Sequence, residues 1–248
     1  MPFKVYIPAR YASTRLPGKA LLMVRGKPII QHVFDNALAS GAEAVVIATD
    51  DSRIAEVAVS FGAIVANTQS THESGTDRIA EAVANRDEAG DTIIVNVQGD
   101  EPLLPGTVIR QVAGILESNP NADIASVCEP ILSERDVNDP NIVKVVRAAN
   151  ERALYFSRAA VPFLRDSRST TFSEYRRHVG IYAYRASYLK KFVATPVAEL
   201  EGFEKLEQLR ALANGAVILV ADAVANCGAG IDTQADYERL LQEWGETQ

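Results

Sequence analysis

Three permanent cations lie in one short stretch near the start of the chain. Arg10, Arg15 and Lys19 follow the apolar run 5–7, and small or turn-forming residues separate them: Ala12, Ser13, Thr14, Pro17 and Gly18. No bulky side chain blocks the approach to such a loop, so its backbone N–H groups and cations can meet a single polyanion. A triphosphate would suit this loop. A solvated basic loop without a ligand is the alternative interpretation.

A carboxylate follows the most strand-like run of the chain. Residues 92–97 are followed directly by Gln98-Gly99-Asp100-Glu101-Pro102. Proteins usually hold Mg²⁺ with one or two carboxylates together with substrate phosphates, so Asp100 is a candidate metal ligand. The same residues suit an ordinary surface turn, which is the alternative.

A third polar segment, His72 to Arg78, precedes a helical pattern. Ser74 or Thr76 can cap that helix, and Asp77 suits its first turn. A simple helix start would explain these residue types. The segment also follows a strand, however, so its amides and hydroxyls are expected at the same sheet edge as the first loop.

The elements that would position these segments alternate between strand and helix. Near-continuous apolar runs at 5–7, 44–49 and 63–66 predict buried strands, and helical spacing is found at 30–37 and 54–61. This pattern predicts an α/β fold with a mostly parallel, Rossmann-like sheet and helices on both faces. Ligands of such sheets bind at the carboxyl ends of the strands, where the three polar segments lie.

The alternation changes in the second half of the chain. The runs 142–146 and 153–156 flank a turn and predict an antiparallel pair, and 178–184 predicts a further strand. We therefore predict one domain, residues 1–248, in which about 130–185 forms a smaller antiparallel region that binds a second substrate or contacts a second copy of the chain.

Composition excludes several classes of protein. The formal charge of −7 argues against a general nucleic-acid binder, and the 248 residues contain no stretch that approaches a membrane span. The N-terminal apolar run is short and broken by Pro8, unlike a secretory signal. The two cysteines lack metal-ligand spacing and are expected to be reduced. A soluble, cytoplasmic protein with no membrane partner is expected.

Five segments carry a family resemblance. Residues 7–10 with 15–19, and residues 98–102, resemble the signatures of the cytidylyltransferases that activate acidic sugars. Residues 155–158, 177–182 and 204–210 resemble those enzymes of the family that act on 3-deoxy-manno-octulosonate (Kdo). The sialate-activating relatives carry a Gly-rich segment with a Lys where this chain has residues 11–15.

The resemblance implies a nucleotidyltransferase fold and the conversion of CTP and Kdo into CMP-Kdo and pyrophosphate, which activates Kdo for lipopolysaccharide biosynthesis. It implies Mg²⁺ as cofactor, a homodimer, and a metal site formed by Asp100 and Asp232. The catalytic residues implied are Arg10, Arg15, Lys19 and Asp100. The residues implied for nucleotide binding are Ala9, Arg10, Ser13, Arg15, Lys19, Ser74, Gly75 and Arg78. Those implied for sugar binding are Gln98, Arg158, Arg165, His178, Tyr182, Glu207 and Gln208.

Two alternatives stay open at this point. The sugar could be a related acidic sugar, such as the 8-amino analogue of Kdo or sialate. The chain could also be a catalytically silent module that binds CTP, although the presence of Asp100 and Asp232 counts against that role. From the sequence, either Arg158 or Arg165 could bind the sugar carboxylate.

Overall fold

A computed structural model describes residues 2–12, 15–165, 172 and 174–245. The strands are β1 (Phe3–Ala9), β2 (Met23–Val24), β3 (Lys27–Pro28), β4 (Ala44–Thr49), β5 (Ile64–Asn67), β6 (Ile93–Asn96), β7 (Ile124–Pro130), β8 (Lys144–Arg147), β9 (Ala153–Ser157), β10 (Arg176–Arg185) and β11 (Ile218–Asp222). The central sheet has the strand order β11-β7-β10-β6-β1-β4-β5, and β8 and β9 extend it from β10.

Helices pack around this sheet. They are α1 (Ile29–Ala39), α2 (Ser52–Ser60), α3 (Gly75–Asn85), α4 (Gly106–Ser118), α5 (Glu134–Asn138), α6 (Ala186–Val193), α7 (Glu199–Glu204), α8 (Gln208–Ala213) and α9 (Gln234–Glu243), with a short 3-10 turn at Lys19–Leu21. The predicted α/β class is confirmed. No helix in the described part of the chain is long and apolar enough to cross a membrane.

The parallel strands explain the near-continuous apolar runs of the sequence. In β1, Val5 and Ile7 belong to the apolar cluster that includes residues of α1 and α4. Tyr6, between them, belongs to the cluster on the other face, with residues of α3 and α6. Successive side chains of a strand point to opposite faces, so a sheet covered on both sides needs apolar residues at nearly every position.

Strand β10 is the antiparallel member in the middle of the main sheet. It pairs antiparallel with β6 on one side and with β7 on the other. Strands β8 and β9 form the predicted antiparallel pair, and β8 joins β10 where Lys144 lies opposite Arg177. The antiparallel strands are thus continuous with the main sheet. The proposed roles of the region 130–185 stay predictions.

Candidate active site

The first cationic loop is held in place by its own aromatic residue. The N–H of Gly18 donates a hydrogen bond to the carbonyl of Tyr11 at 3.0 Å. Gly18 has φ +69°, and a Cβ there would lie 3.1 Å from the Tyr11 ring. Any side chain at this position would therefore be both strained and crowded. The guanidinium of Arg53 lies over the Tyr11 ring, 3.3 Å from its centroid.

The loop forms one wall of a cleft with a volume of about 290 Å³ at the carboxyl ends of β1 and β6. Most of the residues predicted for the nucleotide and the metal line this cleft: Ala9, Arg10, Arg15, Lys19, Ser74, Gly75, Arg78, Asp100 and Asp232. Gln98, which was predicted for the sugar, lines it as well. Ser13 lies outside the described residues. The structure therefore brings four distant segments of the chain to one site.

Lys19 stands between the two predicted metal carboxylates. Its ammonium group contacts the Oδ2 of Asp100 and lies 3.0 Å from the Oδ1 of Asp232. Burial lowers the pKa of Lys19, but the charges of Asp100 and Asp232 outweigh burial and hold that pKa above its ordinary value. Arg15 approaches the other oxygen of Asp232 at 3.0 Å.

The backbone explains how these carboxylates meet. The N–H of Ile231 donates to the carbonyl of Asp100 at 2.8 Å, which places Asp232 next to the end of β6. A Cβ on Gly99 would lie 2.8 Å from the carbonyl oxygen of Pro8, so only glycine allows the turn after β6 to approach β1 so closely.

The two carboxylates suit Mg²⁺. Both already share one cation, the ammonium of Lys19, so their oxygens converge on a single position. Mg²⁺ is usually held by one or two carboxylates together with substrate phosphates. The donor set therefore fits the ion that the sequence predicts.

The N-terminus of α3 faces the same cleft. Ser74 caps the helix, since its Oγ accepts a hydrogen bond from the N–H of Asp77 at 3.0 Å. The buried Arg78 of the first turn pairs with Asp50 at 2.9 Å and donates to the Oγ1 of Thr68 at 2.6 Å. Asp50 therefore orients the guanidinium that lines the cleft.

A second cleft, of about 280 Å³, holds part of the predicted sugar set. His178, Tyr182 and Gln208 line it together with Arg177, Gly180, Leu206 and residues 141–143. Burial, together with the charge of Arg177, lowers the pKa of His178 to about 3, so the imidazole is neutral at pH 7. Its Nε2 lies 3.0 Å from the Oγ of Ser126.

Glu207 contacts the N-terminus of α3, where Ser74 lines the first cleft, and it directly precedes Gln208 of the second cleft. Its carboxylate accepts hydrogen bonds from Ser74 at 3.1 Å and Thr76 at 2.7 Å, across from α3. Burial raises the pKa of Glu207, and these two hydroxyl donors oppose that effect. Without the resemblance, Glu207 and Gln208 would suit a solvated helix face. Gln208 is in fact buried, and Glu207 is partly buried.

The two arginines predicted for the sugar carboxylate differ in their surroundings. Arg158 donates through three nitrogens to the carbonyls of Glu204 (2.6 Å), Pro140 (2.8 Å) and Lys205 (3.3 Å). Arg165 is exposed, at the end of a described segment. Arg158 is thus already bound to backbone, which the sequence alone did not indicate.

Sequence analysis also missed polar residues around the site. Arg177 lines the second cleft and donates to Gly228 at 2.9 Å and to Glu129. Burial raises the pKa of the neighbouring Glu101 to about 7, and the charge of Asp100 adds to that rise.

Asn96 is a further polar residue that sequence analysis missed. It is buried at the end of β6, where its Oδ1 accepts a hydrogen bond from Gln98 at 3.2 Å. The position of Asn96 in the predicted strand 92–97, two residues before Gln98, was the available signal.

Comparison with known proteins places the chain in a family. Residues 5–218 match the family model described as cytidylyltransferase. The 3-deoxy-manno-octulosonate cytidylyltransferase of Thioalkalivibrio sulfidiphilus is 53% identical over 244 residues, which cover 97% of this chain and 98% of that protein. This chain belongs to the 3-deoxy-manno-octulosonate cytidylyltransferase family. A second member, from Nitrosococcus oceani, is 51% identical over 249 residues, which cover 98% of this chain and 96% of that protein.

A solved structure shows the same fold. The structure of CMP:2-keto-3-deoxy-manno-octonic acid synthetase in complex with CTP superposes with a TM-score of 0.91 at 38% identity, and covers 99% of both chains. The family and the fold predicted from the sequence are therefore confirmed. The chain is a nucleotidyltransferase of the cytidylyltransferase family.

Proposed function

We propose that the protein transfers the cytidylyl group of CTP to Kdo, giving CMP-Kdo and pyrophosphate. The observation that carries this proposal is the bridge from Lys19 to Asp100 and Asp232, in a cleft lined by further cations. A second cleft is lined by His178, Tyr182 and Gln208. Such an arrangement suits a triphosphate at the first cleft and a polyhydroxy acid at the second. CMP-Kdo formed in this way would serve lipopolysaccharide biosynthesis.

Phosphoryl chemistry depends mostly on positioning and charge stabilisation, and no protein nucleophile is required. Arg10, Arg15 and Lys19 would bind the triphosphate and stabilise the departing pyrophosphate. Ser74 and Gly75, with Ala9 and Ser13, would hold the cytidine, and Arg78 would lie beside it. The anomeric hydroxyl of the sugar would then attack the α-phosphorus in line.

Asp100 and Asp232 would hold Mg²⁺. When bound, the ion supplies positive charge at the α-phosphate and lowers the pKa of a hydroxyl beside it. Lys19, released from these two carboxylates, would then be available to the phosphates. The positions of Asp100 and Asp232 on either side of its ammonium group support this exchange of partners.

The second cleft would bind the sugar. His178, Tyr182 and Gln208 line it and offer groups that hydrogen-bond hydroxyls, with Gln98 and Glu207 on the side of the first cleft. The neutral His178 can accept a hydrogen bond as well as donate one. Arg165 and Arg158 are the candidates for the sugar carboxylate, because guanidinium pairs well with carboxylate.

A sugar panel tests the proposal. The purified protein is mixed with CTP and Mg²⁺ and with Kdo, its 8-amino analogue or sialate, and pyrophosphate release is measured. Fastest turnover with Kdo is the expected result. If turnover is fastest with another acidic sugar, that sugar replaces Kdo as the proposed substrate. If CTP binds but no pyrophosphate is released from it in the presence of any of these sugars, the protein is a silent CTP-binding module. Titration with a chelator tests the dependence on Mg²⁺.

We propose a homodimer, as the family resemblance implies. Leu154 of β9 and Phe203 of α7 are exposed apolar side chains, at 58% and 73%, and Phe163, which follows β9 in the chain, is 87% exposed. Light scattering at micromolar concentration should give twice the mass of the chain, and the measured mass should be lower for Phe203→Ser. A monomer at all concentrations would contradict the proposal.

We also propose that the reaction takes place in the cytoplasm. Cys128 and Cys227 are both buried free thiols, as is usual in a reducing compartment. Fractionation of cells that produce the protein at its native level would test this location, and recovery with membranes or in an extracellular fraction would contradict it.

A further inference from the structure

A buried lysine lies behind one wall of the second cleft. Lys144, at the start of β8, is 0% exposed. Its ammonium group donates to the carbonyls of Asp139 at 2.9 Å and Ile142 at 2.6 Å. An ammonium group is costly to bury, and burial lowers the pKa of Lys144 although the charges of Asp139 and Glu204 oppose that effect. Its direct hydrogen bonds go to backbone carbonyls, which points to a role in holding the backbone.

Both carbonyls belong to the loop 139–143. Asp139 also fixes the loop from within, because its Oδ1 accepts from the N–H and the side chain of Asn141 at 2.8 and 3.0 Å. The carbonyl of Val143 accepts from the N–H of His178 at 2.8 Å. Asn141, Ile142 and Val143 line the second cleft, so Lys144 supports this wall from behind.

Arg158 connects the same loop to the opposite wall. One of its nitrogens donates to Pro140 in the loop, and two donate to Glu204 and Lys205 at the turn between α7 and α8. Leu206 and Gln208, directly after that turn, line the cleft on its other side. Arg158 thus fixes the separation between the two walls.

We infer that Lys144 is a positioning residue for the sugar, which, with Arg158, sets the shape and width of the cleft. An apolar side chain of similar volume would fill the same space and would avoid the cost of a buried charge. It would leave the carbonyls of Asp139 and Ile142 without their donor, and the loop would lose its anchor. This inference rests on the proposed function, because it takes the second cleft as the sugar site.

The test compares Lys144→Met with Lys4→Met. Lys4 is a half-buried lysine of β1 that pairs with Glu88 at 2.7 Å, at the amino end of the sheet and away from both clefts. For Lys144→Met we expect a rise of about tenfold or more in the KM for Kdo, with the KM for CTP within about twofold of wild type. Lys4→Met should change neither constant.

Hydrogen exchange provides a readout that needs no sugar. The amides of 139–143 should exchange faster in Lys144→Met than in wild type, and not in Lys4→Met. A folded Lys144→Met with unchanged KM for Kdo, or with equal rises in both KM values, would overturn the inference. So would unchanged exchange of the loop.

A second variant covers the case in which Lys144→Met does not fold. Arg158→Lys keeps a positive charge but cannot reach three carbonyls, and we expect the same selective rise in the KM for Kdo. An unchanged KM for Kdo in this variant would overturn the inference. If the wild type turns over no acidic sugar with CTP, the proposed function fails, whereas the exchange measurement still decides whether Lys144 holds the loop.

Discussion

The backbone N–H of Ile231 donates a hydrogen bond to the carbonyl of Asp100 at 2.8 Å. Through this bond the segment before α9 is fixed to the turn after β6, and Asp232 reaches the same ammonium group as Asp100. This contact between distant parts of the chain helps to bring the two carboxylates of the candidate site together.

Asp100→Asn should reduce turnover by roughly 100-fold or more, since it removes one strong electrostatic group and keeps the shape of the side chain. Lys19 keeps Asp232 as a partner, so thermal unfolding should stay close to wild type. The measurements are kcat with CTP, Kdo and Mg²⁺, and the melting curve. The exposed Asp91→Asn is the matched control. Near-native turnover of Asp100→Asn would remove this residue from the metal site.

Lys19→Ala and Arg15→Ala should each weaken CTP binding by about tenfold or more, or slow turnover to a similar extent, because each removes a cation from the triphosphate. Calorimetric titration with CTP measures this effect, and Lys190→Ala, an exposed lysine on α6, serves as control. If both variants keep wild-type affinity and wild-type turnover, the loop is an ordinary solvated surface.

Arg165→Ala should cost about 2–4 kcal/mol in kcat/KM for Kdo if Arg165 pairs with the sugar carboxylate, and CTP affinity should change little. With the methyl ester of Kdo, whose carboxylate charge is removed, the loss should largely vanish. Arg158→Ala should instead lower kcat/KM for Kdo and for its methyl ester alike, because the Arg158 guanidinium holds backbone carbonyls. A charge-dependent loss in Arg158→Ala and none in Arg165→Ala would exchange the two roles.

His178 should make folding sensitive to acid. Its folded pKa of about 3 lies below the usual value of 6.5, so its contribution to stability is complete above pH 6.5 and declines as the pH falls toward 3. Between pH 6.5 and 5 the loss due to His178 should be about 2 kcal/mol in the free energy of unfolding. Urea unfolding across this range should show a flatter pH dependence for His178→Gln. Equal slopes for variant and wild type would contradict a buried neutral imidazole.

The sequence by itself determined the fold class, the family and most residues of the first cleft. Apolar runs without polar interruption predicted strands buried on both faces. The polar segments that follow these strands lie at one sheet edge, because parallel strands end on the same side of the sheet. Local pattern was sufficient there, because each segment follows its strand directly. The same reasoning identified Asp100, whereas Asp232 came from the resemblance alone.

Only the tertiary structure decided which charges neutralise one another and which side chains line the two clefts. Nothing local to Arg158 indicates that it binds carbonyls of two separate loops, and nothing local to Lys144 in a β-strand indicates complete burial. The contact of Lys19 with Asp232 and the hydrogen bonds between Glu207 and α3 also join residues far apart in the chain. Such contacts follow from how strands and helices pack, and no spacing along the sequence encodes them.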